Sequence, residues 1–177
     1  DMYYAYDLKL KLKEGMKDPG TGGHNDGDGA GFWKAAYDRL TDEQKKKWDD
    51  YYQPISDAFF KANPKGKDLE KWMYQRYIRD YLACVQSVDD NIGRLFEYLE
   101  RNKLLENTLI IYASDQGFFL GEHGWYDKRF MYEESLSMPL IMRYPSKIPA
   151  GSTNENLVLN LDLAPTLLAA AGVEVPA

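Results

Sequence analysis

The chain has 177 residues, a formal net charge of -6 and an isoelectric point near 5.0. This length suffices for one domain with a sizeable core, while the acidic balance argues against non-specific nucleic-acid binding, which requires a basic face. No apolar run approaches the length of about 20 residues needed to span a membrane, and the single cysteine excludes an internal disulfide.

The N-terminal region, residues 1–66, is interpreted as a lead-in segment or an insertion made of loop and helix. Residues 9–13 alternate like a strand, but a Pro- and Gly-rich run interrupts the pattern soon afterwards. The run Asp26–Gly31 partly resembles a calcium-binding loop, yet Tyr37 stands where that pattern requires a glutamate. We therefore expect a flexible loop there, with His24 exposed to solvent.

Two helices are predicted before the first buried strand. Thr41 and Gln44 form a capping box, which predicts a helix from there to about Phe60. A stripe of apolar residues at helical spacing then predicts one long amphipathic helix from Asp68 to about Asn102. The positions expected to be buried are Trp48, Tyr52, Ile55 and Phe59 in the first helix, and Leu69, Trp72, Met73, Leu82, Val85, Val88, Ile92, Leu95, Phe96 and Leu99 in the second, with Cys84 beside them as a small buried hydrophobe.

The stretch 108–134 contains the residues best suited to chemistry. It opens with the apolar run Leu109–Ala113, short and continuous as in a strand buried on both faces. A carboxylate, an amide and a glycine follow directly, within Ser114–Gly117. Because ligands bind beyond the carboxyl ends of strands in α/β sheets, we expect chemistry at this point. The runs Gly121–Gly124 and Asp127–Arg129 then add an imidazole and two cations.

The remaining residues complete an α/β pattern. The predicted elements are a short helix at 132–136, a buried strand at 138–145, a third candidate strand at 157–159 and a helix at 163–171. Pro139 is tolerated at a strand's start, while Asp162 suits the N-cap of the last helix and Gly172 its end. The long helix followed by a strand predicts a right-handed crossover. We therefore expect a partial, mostly parallel sheet flanked by helices, with residues 108–113 near its centre.

These motifs carry a family resemblance. The stretch 114–133 resembles the sulfatases of the alkaline-phosphatase superfamily. The motifs that carry this resemblance are Ser-Asp-Gln-Gly at 114–117, Gly-Glu-His-Gly at 121–124, and Asp-Lys at 127–128 followed by Met-Tyr-Glu at 131–133. The similarity is closest to glycan sulfatases of the N-acetylglucosamine-6-sulfatase and iduronate-sulfatase type. A second match is 161–168, closing on Ala-Gly at 171–172. The resemblance implies that residues 67–177 are the C-terminal part of a catalytic domain with a three-layer sandwich fold.

The resemblance also implies roles for individual residues. It places Asp115 and Gln116 as calcium ligands, and their oxygens suit an ion that takes six to eight oxygen ligands; a turn-capping role for Asp115 is the alternative. Lys128 matches the lysine that contacts the sulfate, where a compact ammonium neutralises charge. His123 either donates to the sulfate or a sugar hydroxyl, or holds the loop. The candidate substrate contacts are Trp125 and Arg129.

The formylglycine nucleophile of the family has no counterpart in this chain. It is made from Cys or Ser in a Cys/Ser-x-Pro-x-Arg motif, but Val-Gln-Ser-Val follows Cys84, and Ile141 stands where the run from Ser137 would need arginine. We therefore expect the nucleophile upstream and no activity from this chain alone. The implied partners are the remainder of the catalytic domain and a sulfated sugar, glycosaminoglycan or mucin-type glycan. The resemblance also implies a periplasmic or secreted location, although no signal peptide is visible.

Two other hypotheses stay open. A phosphodiesterase or phosphonate hydrolase of the same superfamily uses two transition metals with several histidine ligands, and only His123 is well placed for that. A non-catalytic glycan-binding module would keep the loop without the chemistry. A Cys/Ser-x-Pro-x-Arg motif in the preceding coding sequence would favour the sulfatase over the binding module.

Overall fold

A computed structural model of the chain describes residues 2, 4–13, 16, 18 and 35–174. Residues 35–38 of this part are helical. The further helices are α1 (Asp42–Ala62), α2 (Gly66–Arg101), α3 (Glu133–Leu136) and α4 (Leu163–Ala170), and the strands are β1 (Ile110–Ala113), β2 (Phe119–Leu120), β3 (Tyr126–Asp127) and β4 (Leu140–Arg143). None of these helices combines the length and the apolar character that crossing a membrane requires. The loop predicted at 26–31 and His24 lie outside the described residues.

Helix α1 begins at the predicted capping box. The Thr41 hydroxyl accepts a hydrogen bond from the Gln44 amide at 3.3 Å, and the Gln44 side chain accepts one from the Thr41 amide at 2.9 Å. Two carboxylates in the first turn, Asp42 and Glu43, complement the helix dipole. The helix ends at Asn63, which has φ 43° and donates to the Phe59 carbonyl. The predicted start and end are both confirmed.

Helix α2 spans the predicted range, but its apolar stripe is only partly covered. Its first turns pack against a core, whereas Leu82, Val85, Val88 and Leu95 are exposed. Cys84 is exposed as well, so the expectation that it is buried was wrong. A helical stripe shows which face an element can bury, but it does not show whether another element covers that face.

The first of two compact units comprises residues 1–88 and 120–126. Its core contains Met2, Leu8, Leu10 and Phe59, and the side chains packed against this core are Tyr4, Phe60, Leu69, Trp72, Met73, Tyr77 and Tyr126. Residues 9–13 do not form the strand that their alternation suggested. Leu8 and Leu10 are buried by packing beside α1 instead, and the division of domains predicted at residue 66 stays a prediction.

An ion pair between a buried arginine and a half-buried aspartate joins two turns of α2 in this unit. Arg76 is only 6% exposed, and its guanidinium donates to both carboxylate oxygens of Asp80 at 2.9 and 2.7 Å. The Tyr52 ring of α1 lies 5.1 Å from the guanidinium carbon, and its hydroxyl donates to Asp80 at 3.4 Å. Burial, together with the Asp80 charge, raises the pKa of Tyr52 to about 12.

The second unit comprises residues 89–119 and 127–177 and contains the longer strand pair. Strand β1 pairs with β4 in antiparallel register, with Ile110 opposite Arg143 and Ala113 opposite Leu140. The mostly parallel sheet predicted from the sequence is therefore not what the described strands form. The first two residues of β1 are half-buried and the last two are exposed. The expectation that this strand is buried on both faces was therefore also wrong. An apolar run identifies a strand, whereas pairing direction depends on the path of the chain between strands.

The C-terminal part confirms helices more than strands. Helices α3 and α4 lie where they were predicted, and Gly172, with φ 71°, follows the end of α4. Asp162 stands at the N-cap position, but its carboxylate accepts from the Leu159 amide at 2.7 Å instead of capping α4. Residues 157–159 form no strand, and Leu157 is 99% exposed. The right-handed crossover has no partner strand in the described residues before α2 and stays a prediction.

Candidate functional site

The turn after β1 is closed by a serine hydroxyl. The Ser114 hydroxyl donates to the Gln116 carbonyl at 2.7 Å and accepts from the Gln116 amide at 3.3 Å. The Asp115 carboxylate is exposed and does not close the turn, while Gln116 is half-buried. Turn geometry therefore does not account for an acidic residue at position 115.

A glycine at the end of the same turn forms a backbone hydrogen bond with helix α3. Gly117 is buried, and its amide donates to the Ser135 carbonyl at 2.8 Å. A side chain at this position would overlap the backbone of α3, because a Cβ built on Gly117 would stand 2.1 Å from the Glu134 carbonyl oxygen. The glycine lets two backbone segments approach each other and so fixes where Asp115 and Gln116 lie within this unit.

The donor chemistry of this turn fits calcium in part. A carboxylate and an amide carbonyl are both oxygen ligands of the kind that this ion takes, usually six to eight in number. The described part of the chain contains no group of three or more His, Cys, Asp or Glu side chains placed to hold a metal ion. Asp115 and Gln116 could therefore supply two ligands of a larger set.

The loop between β2 and β3 carries His123 and Trp125. Within the loop, the Gly121 amide donates to the Trp125 carbonyl at 2.9 Å, and the Gly124 amide donates to the Gly121 carbonyl at 3.0 Å. His123 has φ 57°, in the left-handed region that residues with a side chain adopt rarely. Such backbone strain persists only where surrounding contacts hold it, and it is common at functional sites.

A carboxylate within this loop stabilises it by accepting backbone hydrogen bonds. Glu122 accepts a hydrogen bond from the Leu120 amide at 2.6 Å. Hydrogen bonds from the backbone amides of Glu122 and Leu120 hold the pKa of the Glu122 carboxyl below its usual range. The exposed His123 ring lies 6.1 Å from the half-buried ring of Trp125. The loop thus carries an imidazole and an indole on a short backbone segment, residues 121–125, that its own hydrogen bonds hold together.

Residues 127–129, at the end of β3 and directly after it, combine two cations with a carboxylate. Lys128 and Arg129 are both exposed, and the Arg129 guanidinium donates to the Asp127 carboxylate at 2.9 Å. Asp127 has φ 77°, a second non-glycine residue in the left-handed region. Exposed ion pairs contribute only about 0–1 kcal/mol to stability, so the consequence of this pair is the orientation of the guanidinium. Asp127 was not among the predicted site residues, because a positive φ leaves no mark in the sequence.

The predicted site residues are distributed over both compact units. The turn residues and the two cations belong to the second unit, and the loop residues belong to the first. These residues are Asp115, Gln116, Lys128 and Arg129 in the second unit, and His123 and Trp125 in the first. Their individual roles stay predictions.

Comparison with known proteins gives concordant matches. The family described as N-sulphoglucosamine sulphohydrolase, C-terminal, matches residues 121–177. An N-acetylglucosamine-6-O-sulfatase of Bacteroides thetaiotaomicron is 52% identical over 171 residues, which are 97% of this chain and 29% of that protein. A putative extracellular sulfatase, a Sulf-1 homolog of Caenorhabditis elegans, is 44% identical over 100 residues, covering 56% of this chain and 14% of that protein.

A solved structure is similar over nearly the whole chain. It holds a protein in complex with its substrate, D-glucosamine-2-N,6-O-disulfate, and matches with a TM-score of 0.80 and 50% identity. The match covers 98% of this chain and 33% of that one. The chain therefore spans about a third, or less, of the length of the proteins that it matches.

Proposed function

The chain belongs to the sulfatase family, and on that premise we propose that it is the C-terminal part of the catalytic domain of a calcium-dependent glycan sulfatase. The proposed substrate is a sulfate ester on a glucosamine-type sugar of a larger glycan. A periplasmic or extracellular location is part of the same proposal, and the putative extracellular sulfatase of Caenorhabditis elegans among its relatives supports it.

One observation carries the substrate class. The similarity to the structure bound to D-glucosamine-2-N,6-O-disulfate extends over 98% of this chain at 50% identity, and so includes the turn, the loop and the cations described above. The relative from Bacteroides thetaiotaomicron, at 52% identity, is an N-acetylglucosamine-6-O-sulfatase. A sulfated glucosamine therefore agrees with both matches.

Calcium, when bound, would offset the negative charge of the sulfate group. Asp115 and Gln116 would supply a carboxylate and an amide oxygen to the ion, with further ligands from outside this chain. The exposed position of Asp115, in a turn that Ser114 already closes, leaves its carboxylate available for that role. The nucleophile would also come from outside this chain, because neither Cys84 nor Ser137 lies in a Cys/Ser-x-Pro-x-Arg motif.

The cations and the imidazole have the remaining roles in hydrolysis. Cleavage of the S–O bond leaves an alkoxide on the sugar, which must receive a proton, while charge on the sulfate oxygens must be neutralised. Lys128 would donate hydrogen bonds to the sulfate and towards the leaving oxygen. His123 would donate to the sulfate or to a sugar hydroxyl. Trp125 and Arg129 would contact the sugar, with Asp127 orienting the guanidinium.

A chimera tests this function. In it, this chain replaces the matching 171-residue segment of the Bacteroides thetaiotaomicron N-acetylglucosamine-6-O-sulfatase. We expect the chimera to release sulfate from N-acetylglucosamine-6-sulfate, and Lys128→Ala to lower its kcat by about 100-fold or more. Lys147→Ala, at another exposed lysine, is the matched control and should leave kcat unchanged.

The outcomes separate the proposed function from its rival. A folded chimera that binds the sulfated sugar without hydrolysing it would favour the glycan-binding module. A chimera that turns over equally well with Lys128→Ala would contradict the role of this lysine. The 177-residue chain alone should release no sulfate in either case.

A further inference from the structure

We infer that Tyr74 of helix α2 is a positioning residue for His123, acting through Gly121 and Tyr126. The inference rests on the proposed function, since it concerns the candidate catalytic loop, and it assigns a residue outside the motifs of that loop. All the residues involved belong to the first compact unit.

The first step is the proximity of α2 to the start of the loop. A Cβ built on Gly121 would lie 3.4 Å from Cε2 and 3.6 Å from Cδ2 of the Tyr74 ring. The same Cβ would lie 3.4 Å from the Tyr126 hydroxyl. Gly121 has φ 121°, which only glycine adopts at no steric cost. Two tyrosine side chains therefore line the space beside Gly121 that a side chain would occupy.

The second step is the support behind Tyr126. Its ring meets the Tyr77 ring edge-on, with centroids 4.9 Å apart, and it packs against the core that contains Leu8 and Phe59. Burial, with smaller effects of Tyr74 and Glu122, raises the pKa of the Tyr126 phenol, which stays protonated at neutral pH. Tyr126 is thus held in place by the core, and the Tyr74 ring is the second side chain beside Gly121.

The third step leads from Gly121 to the imidazole. His123 lies two residues after Gly121, in the loop segment that the Gly121–Trp125 and Gly124–Gly121 backbone hydrogen bonds close. Its φ of 57° is strained and needs support from neighbouring contacts. Because this hydrogen-bonded segment is short, a shift of Gly121 is transmitted to His123.

The exposure of Tyr74 separates positioning from core stability. Its side chain is 40% exposed, so removing it leaves no large cavity in the core of Met2, Leu8, Leu10 and Phe59. Removal of the ring should therefore loosen the loop while the unit stays folded.

The first experiment observes the imidazole in the 177-residue chain. The sequence has two histidines, so 15N-labelled rings give two sets of NMR signals, and His123→Gln assigns them. We expect Tyr74→Ala to shift or broaden the His123 signals. Tyr74→Phe keeps the ring and should keep the wild-type signals. Tyr98→Ala, at a 55% exposed tyrosine of the same helix, is the matched control and should also leave them unchanged.

The second experiment measures turnover in the chimera with the Bacteroides thetaiotaomicron enzyme. We expect Tyr74→Ala to lower kcat by about ten- to a hundredfold with a smaller change in KM, because misplacement by about 1 Å can reduce rates by that order. Tyr74→Phe should restore kcat. Unchanged His123 signals in Tyr74→Ala, or shifted signals with wild-type turnover, would overturn the inference. An inactive parent chimera would overturn the proposed function instead, while the NMR comparison still decides whether Tyr74 positions His123.

Discussion

The backbone of Gly117 lies so close to that of Glu134 that a Cβ on Gly117 would stand 2.1 Å from the Glu134 carbonyl oxygen. The same atom would stand 2.8 Å from the Ser137 carbonyl oxygen, and the Gly117 amide donates to the Ser135 carbonyl at 2.8 Å. The turn that carries Asp115 is therefore joined to α3 by a contact that only glycine permits, since the atoms in the way belong to backbone.

The first prediction follows from this contact. Gly117→Ala should destabilise the chain by about 1–3 kcal/mol or more, because the backbone of α3 must shift to admit the methyl group. Gly93→Ala is the control, since a Cβ there meets nothing within 4 Å in the middle of α2. It should stabilise by up to about 1 kcal/mol through higher helix propensity. Urea unfolding of both variants measures the difference, and a Gly117→Ala variant as stable as wild type would contradict the close approach.

The second prediction concerns the ion pair between the buried Arg76 and the half-buried Asp80 of α2. Asp80→Ala leaves the buried Arg76 charge without its partner and should destabilise by about 3–5 kcal/mol. Asp50→Ala removes the partner of Lys46 in an exposed pair of the same spacing and should cost only about 0.3–0.5 kcal/mol. Chemical denaturation compares the two variants. Equal losses would show that water reaches Arg76.

The third prediction is a pH dependence. The pKa of Tyr52 is about 12 in the folded chain against 10.0 for an ordinary tyrosine, so the folded state holds the proton to higher pH. This contribution is complete below about pH 10 and is lost as pH rises towards 12; a shift of about two units corresponds to at most about 2–3 kcal/mol. Urea unfolding at pH 9 and 11.5 should show a smaller loss of stability in Tyr52→Phe than in wild type. Equal losses in the two proteins would contradict the shift.

Local signals predicted the helices well. The capping box at Thr41 depends only on neighbouring residues, and so does the glycine after α4, so both could be recognised from short stretches of sequence. The turn after β1 was also predictable, because polar residues directly follow an apolar run.

Properties set by distant parts of the chain were not predictable. The direction of the β1–β4 pair depends on the path between the strands, and the exposure of Cys84 depends on what covers α2. The left-handed backbone of Asp127 and the position of Tyr74 beside Gly121 both arise from tertiary packing. The sequence shows a glycine at position 117, but the need for glycine there comes from the Glu134 backbone beside it, which only the structure shows.

The last prediction separates anchoring of the ion from stabilisation of the transition state, again in the chimera with the Bacteroides thetaiotaomicron enzyme. Asp115→Ala removes an anionic ligand from a hard cation that depends on carboxylates, so it should lower both calcium content and turnover. Lys128→Ala should lower turnover by about 100-fold or more and leave calcium content near wild type, because an ammonium repels the ion and serves the substrate. Glu155→Ala, at an exposed carboxylate, is the control and should change neither quantity. Elemental analysis beside steady-state kinetics on N-acetylglucosamine-6-sulfate measures both. Because Ser114 already closes the turn, full calcium occupancy with unchanged turnover in Asp115→Ala would leave the exposed carboxylate without a role in the proposed site.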